Sequence, residues 1–186
     1  RNTSWERARF ETCAHKWVDL SESNYGAALL NDCKYGHDVL DHTVRLTLLK
    51  SATSPDPHAD QGEHHMTYSL LPHTGDWRNG VVPAAYHLNN PVILRRLQAG
   101  NTAESPRESF VRVNSANAII ETVKQAQDGD GIIVRLYEHQ RARGKVQLQV
   151  GFPLQAAYRC NLLEENELAL EADGNSVTFE LTPYQI

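Results

Sequence analysis

The second half of the chain is built from short apolar-alternating runs set a few residues apart, and this spacing predicts an antiparallel β fold. The runs lie at 110–113, 118–123, 131–137, 146–150, 156–160, 168–170 and 177–181. Each is too short for a stable helix and suits a strand of ordinary length. Asp128-Gly129-Asp130-Gly131 is the clearest hairpin-type turn between them, because glycine reaches positive φ without a Cβ penalty. Asp173-Gly174-Asn175 is a second such turn. Short strands over roughly 80 residues, joined by polar turns, fit an antiparallel sandwich. No repeat is long enough to suggest a solenoid.

The first half is punctuated less regularly. Residues 9–14 and 24–30 are predicted strands, the second with Tyr25, Ala27 and Leu29 on one face. Residues 31–38 follow as a loop, since asparagine, aspartate and glycine supply turn geometry there. A strand is expected over 44–49. Residues 51–62 form a loop in which Pro55 and Pro57 stop any ladder, because proline lacks the donor. Residues 64–71 are expected as another strand, with Met66, Tyr68 and Leu70 alternating against His65, Thr67 and Ser69. One helix is expected within 76–88, its core near 79–88, with Pro83 in the first turn. The polar stretch 95–107, with Gly100 and Pro106, is the candidate linker. The chain is thus expected to divide at residue 105, into 1–105 and 106–186.

A length of 186 residues suits one large β domain or two small modules, each able to bury a core. Hydrophobic residues make up 40% and charged residues 22%, which argues for an ordinary globular protein and against disorder. With 23 acidic and 18 basic residues the formal charge is −5, so no polycationic field invites nucleic acid. No apolar run approaches the length of a membrane helix, so no membrane partner is expected. Three cysteines, Cys13, Cys33 and Cys160, form no CxxC pair and favour a reducing, cytoplasmic setting. The chain opens Arg1-Asn2-Thr3-Ser4-Trp5, without an initiator methionine or a signal sequence, and both ends are expected to be cuts within a longer protein.

Nine histidines, including His58, His64 and His65 beside Asp56, Asp60 and Glu63, raise the question of a metal. Neighbours on a strand point to opposite faces, so His64 and His65 are poorly placed to chelate together, and no metal site is assigned. The segment Asn31-Asp32-Cys33-Lys34-Tyr35-Gly36-His37-Asp38 is denser in functional groups. Glycoside hydrolysis generally uses two carboxylates across a sugar pocket, and Asp32 with Asp38 would qualify only if the loop folded back on itself. The plainer alternative is a structural loop, with Asp32 bonding its own turn and Tyr35 packing on a rim. Trp17 is expected in the core and Trp77 as an anchor before the helix. Glu121 with Lys124 is read as a mixed strand face, and Glu164, Glu165 and Glu167 as a solvated charge run. There is no GxSxG elbow, P-loop or GxGxxG.

Longer words in the sequence resemble a known family. Ala14-His15-Lys16-Trp17-Val18-Asp19-Leu20-Ser21-Glu22, Leu30-Asn31-Asp32-Cys33-Lys34-Tyr35-Gly36-His37 and Leu71-Pro72-His73-Thr74-Gly75-Asp76-Trp77 are similar to the late β region of class II α-mannosidases. These belong to glycoside hydrolase family 38, and the likeness is strongest to its cytosolic and bacterial branch. Ile120-Glu121-Thr122-Val123-Lys124 and Asn161-Leu162-Leu163-Glu164-Glu165 extend it through the second half. The family pattern often continues past a motif like Pro183-Tyr184-Gln185-Ile186 with another strand, and it is richer in glycine at the loop here formed by 138–144.

The resemblance implies a fold and a function. Residues 1–105 would be part of a galactose-mutarotase-like supersandwich, and 106–186 a small terminal sandwich. The parent would be a retaining α-mannosidase acting on mannose-containing oligosaccharide, its zinc and catalytic carboxylates held in an N-terminal barrel. No catalytic residue, metal ligand or cofactor is therefore assigned to this chain, which is expected to be inactive alone and to pack against that barrel, with homo-oligomerisation open. Asp32, Lys34, Tyr35 and His37 are the candidate substrate-binding residues. An independent carbohydrate-binding module, using Trp17 or Trp77, and a purely structural or oligomerisation module are the alternatives.

Overall fold

A computed structural model describes residues 3–96 and 108–186. The chain divides into two compact units, Arg1–Arg96 and Leu97–Ile186. The expected boundary at 105, and the expected linker from residue 97 onward, lie outside the described residues.

The first unit opens with a short helix, α1 (Ser4–Ala8), absent from the sequence reading. Six strands follow: β1 (Glu11–Cys13), β2 (Trp17–Ser21), β3 (Tyr25–Asn31), β4 (Gly36–Leu40), β5 (Thr43–Leu46) and β6 (Tyr68–Thr74). Helix α2 (Val81–Asn89) closes the unit. The strands form two antiparallel three-stranded sheets, ordered β1-β4-β5 and β2-β3-β6. In the second sheet β3 is central, and its small residues let α2 approach closely. Ala28 and Leu30 of β3 meet Val81 and Ala85 of α2, with Trp17, Leu71 and Trp77 packed around them. The core here is therefore helix on sheet.

Three local expectations are corrected. The face of β3 turned inward is Gly26, Ala28 and Leu30, not Tyr25, Ala27 and Leu29. Alternation in a run this apolar does not reveal which parity the helix covers. Residues 36–38 belong to strand β4, so the loop shrinks to 32–35. Residues 64–67 are not in a strand, and in β6 it is Leu71 and His73 that turn inward, while Tyr68 and Leu70 are exposed. Pro72 sits in β6 because that strand is an edge, where a missing donor costs no ladder bond.

The second unit contains β7 (Val111–Val113), β8 (Ala118–Gln125), β9 (Ile132–Glu138), β10 (Gly144–Val150), β11 (Ala157–Cys160), β12 (Asn166–Leu170), β13 (Ala172–Asp173) and β14 (Ser176–Leu181). The two-residue β13 was not anticipated. A four-stranded sheet, β13-β14-β10-β7, faces the β8-β9 ribbon, while β11 and β12 pair separately. All pairings are antiparallel. Ala118, Leu136, Val146, Leu148, Val177 and Leu181 make the core between the layers. Strict alternation writes this directly: Val146, Leu148 and Val150 point in from β10 while Lys145 and Gln147 point out. In β8 the register shifts between Ile120 and Thr122, so Glu121 occupies a bulge and the alternation changes phase. Val123 is exposed as a result. Gly129 and Gly131 take φ of 84° and 102° in the turn joining β8 to β9.

Candidate functional site

The segment beginning at Asn31 is held from three directions. Asn31, 1% exposed, ends β3. Its Oδ1 accepts the Lys34 N–H at 2.8 Å, which closes the turn. Its backbone N–H donates to Lys16 O at 2.9 Å, and its carbonyl accepts from Asn89 Nδ2 at 3.0 Å, at the C-terminal end of α2. The last residue of the helix thus fixes the start of the loop.

The four candidate residues separate into two kinds. Asp32 exchanges two bonds with Thr67, donating its N–H to Thr67 O at 3.1 Å and accepting Thr67 N–H on Oδ1 at 3.0 Å. The Cys33 thiol, then Thr67, hold the Asp32 carboxyl below the ordinary carboxylate range, and Asp32 in turn pushes the thiol up. His37 is 3% exposed, and its Nδ1 lies 3.2 Å from Tyr35 O, leaving Nε2 buried without a partner. Asp32 and His37 are therefore occupied in building the loop. Lys34 is half-buried, and Tyr35 is 51% exposed against the His15 ring, with centroids 4.6 Å apart. These two remain available to a ligand.

The possible carboxylate pair does not assemble. A shallow hollow of about 310 Å³ is lined by Glu11, Cys13, His37 and Asp38 among others, but not by Asp32. Asp38 pairs instead with Arg45 at 3.3 Å across β4 and β5. Among the described residues no three His, Cys, Asp or Glu side chains could together hold a metal ion. His64 lies 2.8 Å from Asp60 O, and His65 pairs with Glu63 at 3.1 Å on the surface. Asp60 organises this loop by accepting the N–H groups of Ser51 and Lys50, which lower its pKa.

Two further polar nodes carry no clear sequence signature. His73 Nε2 meets Asp19 Oδ1 at 2.7 Å, with side chains only 5% and 2% exposed. This contact raises the His73 pKa, more strongly than burial lowers it. The ring lies over Gly26, where an added Cβ would stand 2.4 Å from His73 Cε1, so only glycine fits. In the second unit Glu138 is fully buried. Its carboxylate accepts the backbone N–H groups of Gln140, Ala142 and Tyr184 at 2.8, 3.0 and 3.0 Å, and the Asn117 amide at 3.3 Å. Burial drives its pKa up, but those donors outweigh it and leave the carboxyl below its ordinary value. Burial pushes the neighbouring His139 down.

Trp17 and Trp77 stack on each other, centroids 5.9 Å apart, and both pack against the core of the first unit. Glu164 is not a solvated charge: it pairs with Lys124 and accepts the Gln127 N–H at 2.7 Å, and both contacts lower its pKa.

Comparison with known proteins converges on one family. Residues 1–58 match the glycosyl hydrolases family 38 C-terminal domain, and residues 117–186 match the family 38 C-terminal beta sandwich domain. Over 191 aligned positions, covering the whole chain, it is 41% identical to human alpha-mannosidase 2C1 and 36% identical to alpha-mannosidase G of Dictyostelium discoideum. It is 46% identical to the alpha-mannosidase of Saccharomyces cerevisiae over 88 positions, 47% of this chain and 8% of that protein. The chain spans 18% of the length of the human and Dictyostelium proteins. A solved structure of a family 38 protein from Enterococcus faecalis shares the fold, with a TM-score of 0.71 at 20% identity, covering 94% of this chain and 22% of that one. Two family 38 matches in chain order, together more than half of its residues, and relatives aligned along its whole length place the chain in the C-terminal region of glycosyl hydrolase family 38.

Proposed function

We propose that this chain is the non-catalytic β region of a zinc-dependent, retaining α-mannosidase that removes terminal α-linked mannose in the cytoplasm. The observation that carries the reading is its end-to-end similarity to proteins named alpha-mannosidase. The chemistry belongs to a catalytic barrel elsewhere in the parent polypeptide, and the first unit scaffolds that barrel. The loop after β3 reaches the sugar cleft, where Lys34 and Tyr35 touch the glycan while Asp32 and His37 hold the loop in shape. A phenol beside an imidazole gives a sugar both a hydrogen-bonding tip and a ring to lie against.

The test is made in the parent enzyme. Lys34→Ala and Tyr35→Ala are expected to raise KM for an aryl α-mannoside roughly tenfold with kcat little changed, as the loss of binding shared equally by ground and transition states requires. Asp32→Asn is expected to lower thermal stability first. Unchanged KM in both Lys34→Ala and Tyr35→Ala removes the loop from the cleft.

A further inference from the structure

The outer face of the four-stranded sheet β13-β14-β10-β7 is polar and ordered in rows. Cross-strand registers place Lys145 opposite Glu180, Gln147 opposite Thr178, and Gln149 between Ser176 and Arg112. Asp173 extends the last row beyond Ser176. Asn114, directly after β7, donates its N–H to Gln147 O at 3.1 Å and so joins the Gln147 row. Directly opposed residues share a face, and Val146, Leu148 and Val150 take the other one, toward the core.

Side chains in two of these rows are tied to one another. Asn114 Nδ2 donates to Gln147 Oε1 at 2.8 Å, and Asn114 Oδ1 accepts the Gln147 backbone N–H at 3.1 Å. Gln147 Nε2 donates to Ser176 Oγ at 3.4 Å, and Arg112 Nη2 donates to Gln149 Oε1. These bonds fix the amide orientations in advance, so a ligand that meets them has little rotamer freedom left to freeze. Each amide nitrogen carries two N–H donors, and Gln149 Nε2 makes no bond among the described residues.

The chemistry of the face selects its ligand. Arg112 and Lys145 are balanced by Asp173 and Glu180, so the rows carry no net charge and attract no polyanion. No aliphatic side chain stands in them to serve as the desolvated anchor of a protein interface. They present instead fixed donors and acceptors, in rows about 7 Å apart along β10. Neighbouring hydroxyls of a sugar, each able to donate and to accept, match such a surface. Phe110 adds an aromatic ring at its edge. It is 57% exposed, and its carbonyl accepts the Gly151 N–H at 2.9 Å, at the end of the β7-β10 pair nearest Arg112.

We propose that this face binds a neutral oligosaccharide, with Arg112, Gln147 and Gln149 bonding its hydroxyls and Phe110 lying against a sugar ring. The inference concerns the second unit alone and stands whether or not the loop after β3 binds sugar.

NMR titration of the isotope-labelled 186-residue chain tests it, with α-linked mannotetraose and cellotetraose as two neutral probes. At least one should shift the Gln147 and Gln149 side-chain amide signals saturably, with half-saturation at roughly millimolar sugar, as few bonds on an open face allow. Gln149→Ala should weaken that binding about tenfold, the loss of one net hydrogen bond. Gln149→Glu keeps the size of the side chain but removes its donor, and should weaken binding to a similar degree. Unmoved Val134 and Leu136 signals verify that each variant keeps the fold. Shifts that grow linearly without saturation, no shift with either sugar, or binding that survives both variants overturns the proposal. Shifts confined to Lys34 and Tyr35 overturn it as well, while supporting the loop after β3 as the sugar contact.

Discussion

The buried His73–Asp19 contact makes the first unit sensitive to pH at the level of single residues. Because folding raises the His73 pKa above its ordinary value of about 6.5, the histidine binds a proton more tightly in the folded chain. Its contribution is fully present below the unfolded value and is lost as pH rises through the folded one. Thermal unfolding of the first unit should therefore show Tm falling as pH is raised from 6 toward 8. Asp19→Asn should flatten that slope, which differential scanning calorimetry at several pH values reads directly. This node was hidden in the sequence. Asp19 and His73 are 54 positions apart, and nothing local marks the register that brings β2 and β6 to either side of Gly26.

At the level of elements, the knot around Glu138 joins the end of β9 to the turn before β10 and to the chain after β14. Three backbone donors converge on one carboxylate, an arrangement worth more than neutral bonds because the acceptor is charged. Glu138→Gln presents an amide with donors of its own to those N–H groups, and should cost about 2–3 kcal/mol in the second unit. Urea unfolding followed at the second unit measures it, and Glu138→Gln should also remove the acid sensitivity that the wild-type carboxyl adds as pH falls through its lowered pKa. How much of these elements is legible in sequence depends on their burial. The runs at 146–150 and 177–181 were legible as strands, and in β10 and β14 the apolar alternation coincides with the inward face, because one face meets the core and the other water. The run in β3 is apolar on both faces, so its inward side was set by α2 instead. The β8 bulge at Glu121 was illegible, since an inserted residue looks like an ordinary polar position until the partner strand is known.

For the whole molecule, motif order was more informative than any single residue. Words spread from Ala14 to Glu165 fell in the sequence of one family, and the family matches cover both units. The turn glycines gave the β8-β9 hairpin, and Trp77 took its place ahead of α2. The loop after β3 was found as a cluster of functional groups, but the division of labour within it was not readable. That division depends on Thr67 and Asn89, which are distant in sequence and are brought to Asp32 and Asn31 by β6 and α2.

In the function proposed above, catalysis resides outside these 186 residues. Purified chain, supplied with zinc and an aryl α-mannoside, tests it against the parent polypeptide under the same conditions. Hydrolysis is expected from the parent, with no release of aglycone above buffer by the chain alone. Turnover by the 186-residue chain, abolished when Asp32 or Asp38 is replaced by asparagine, would contradict it.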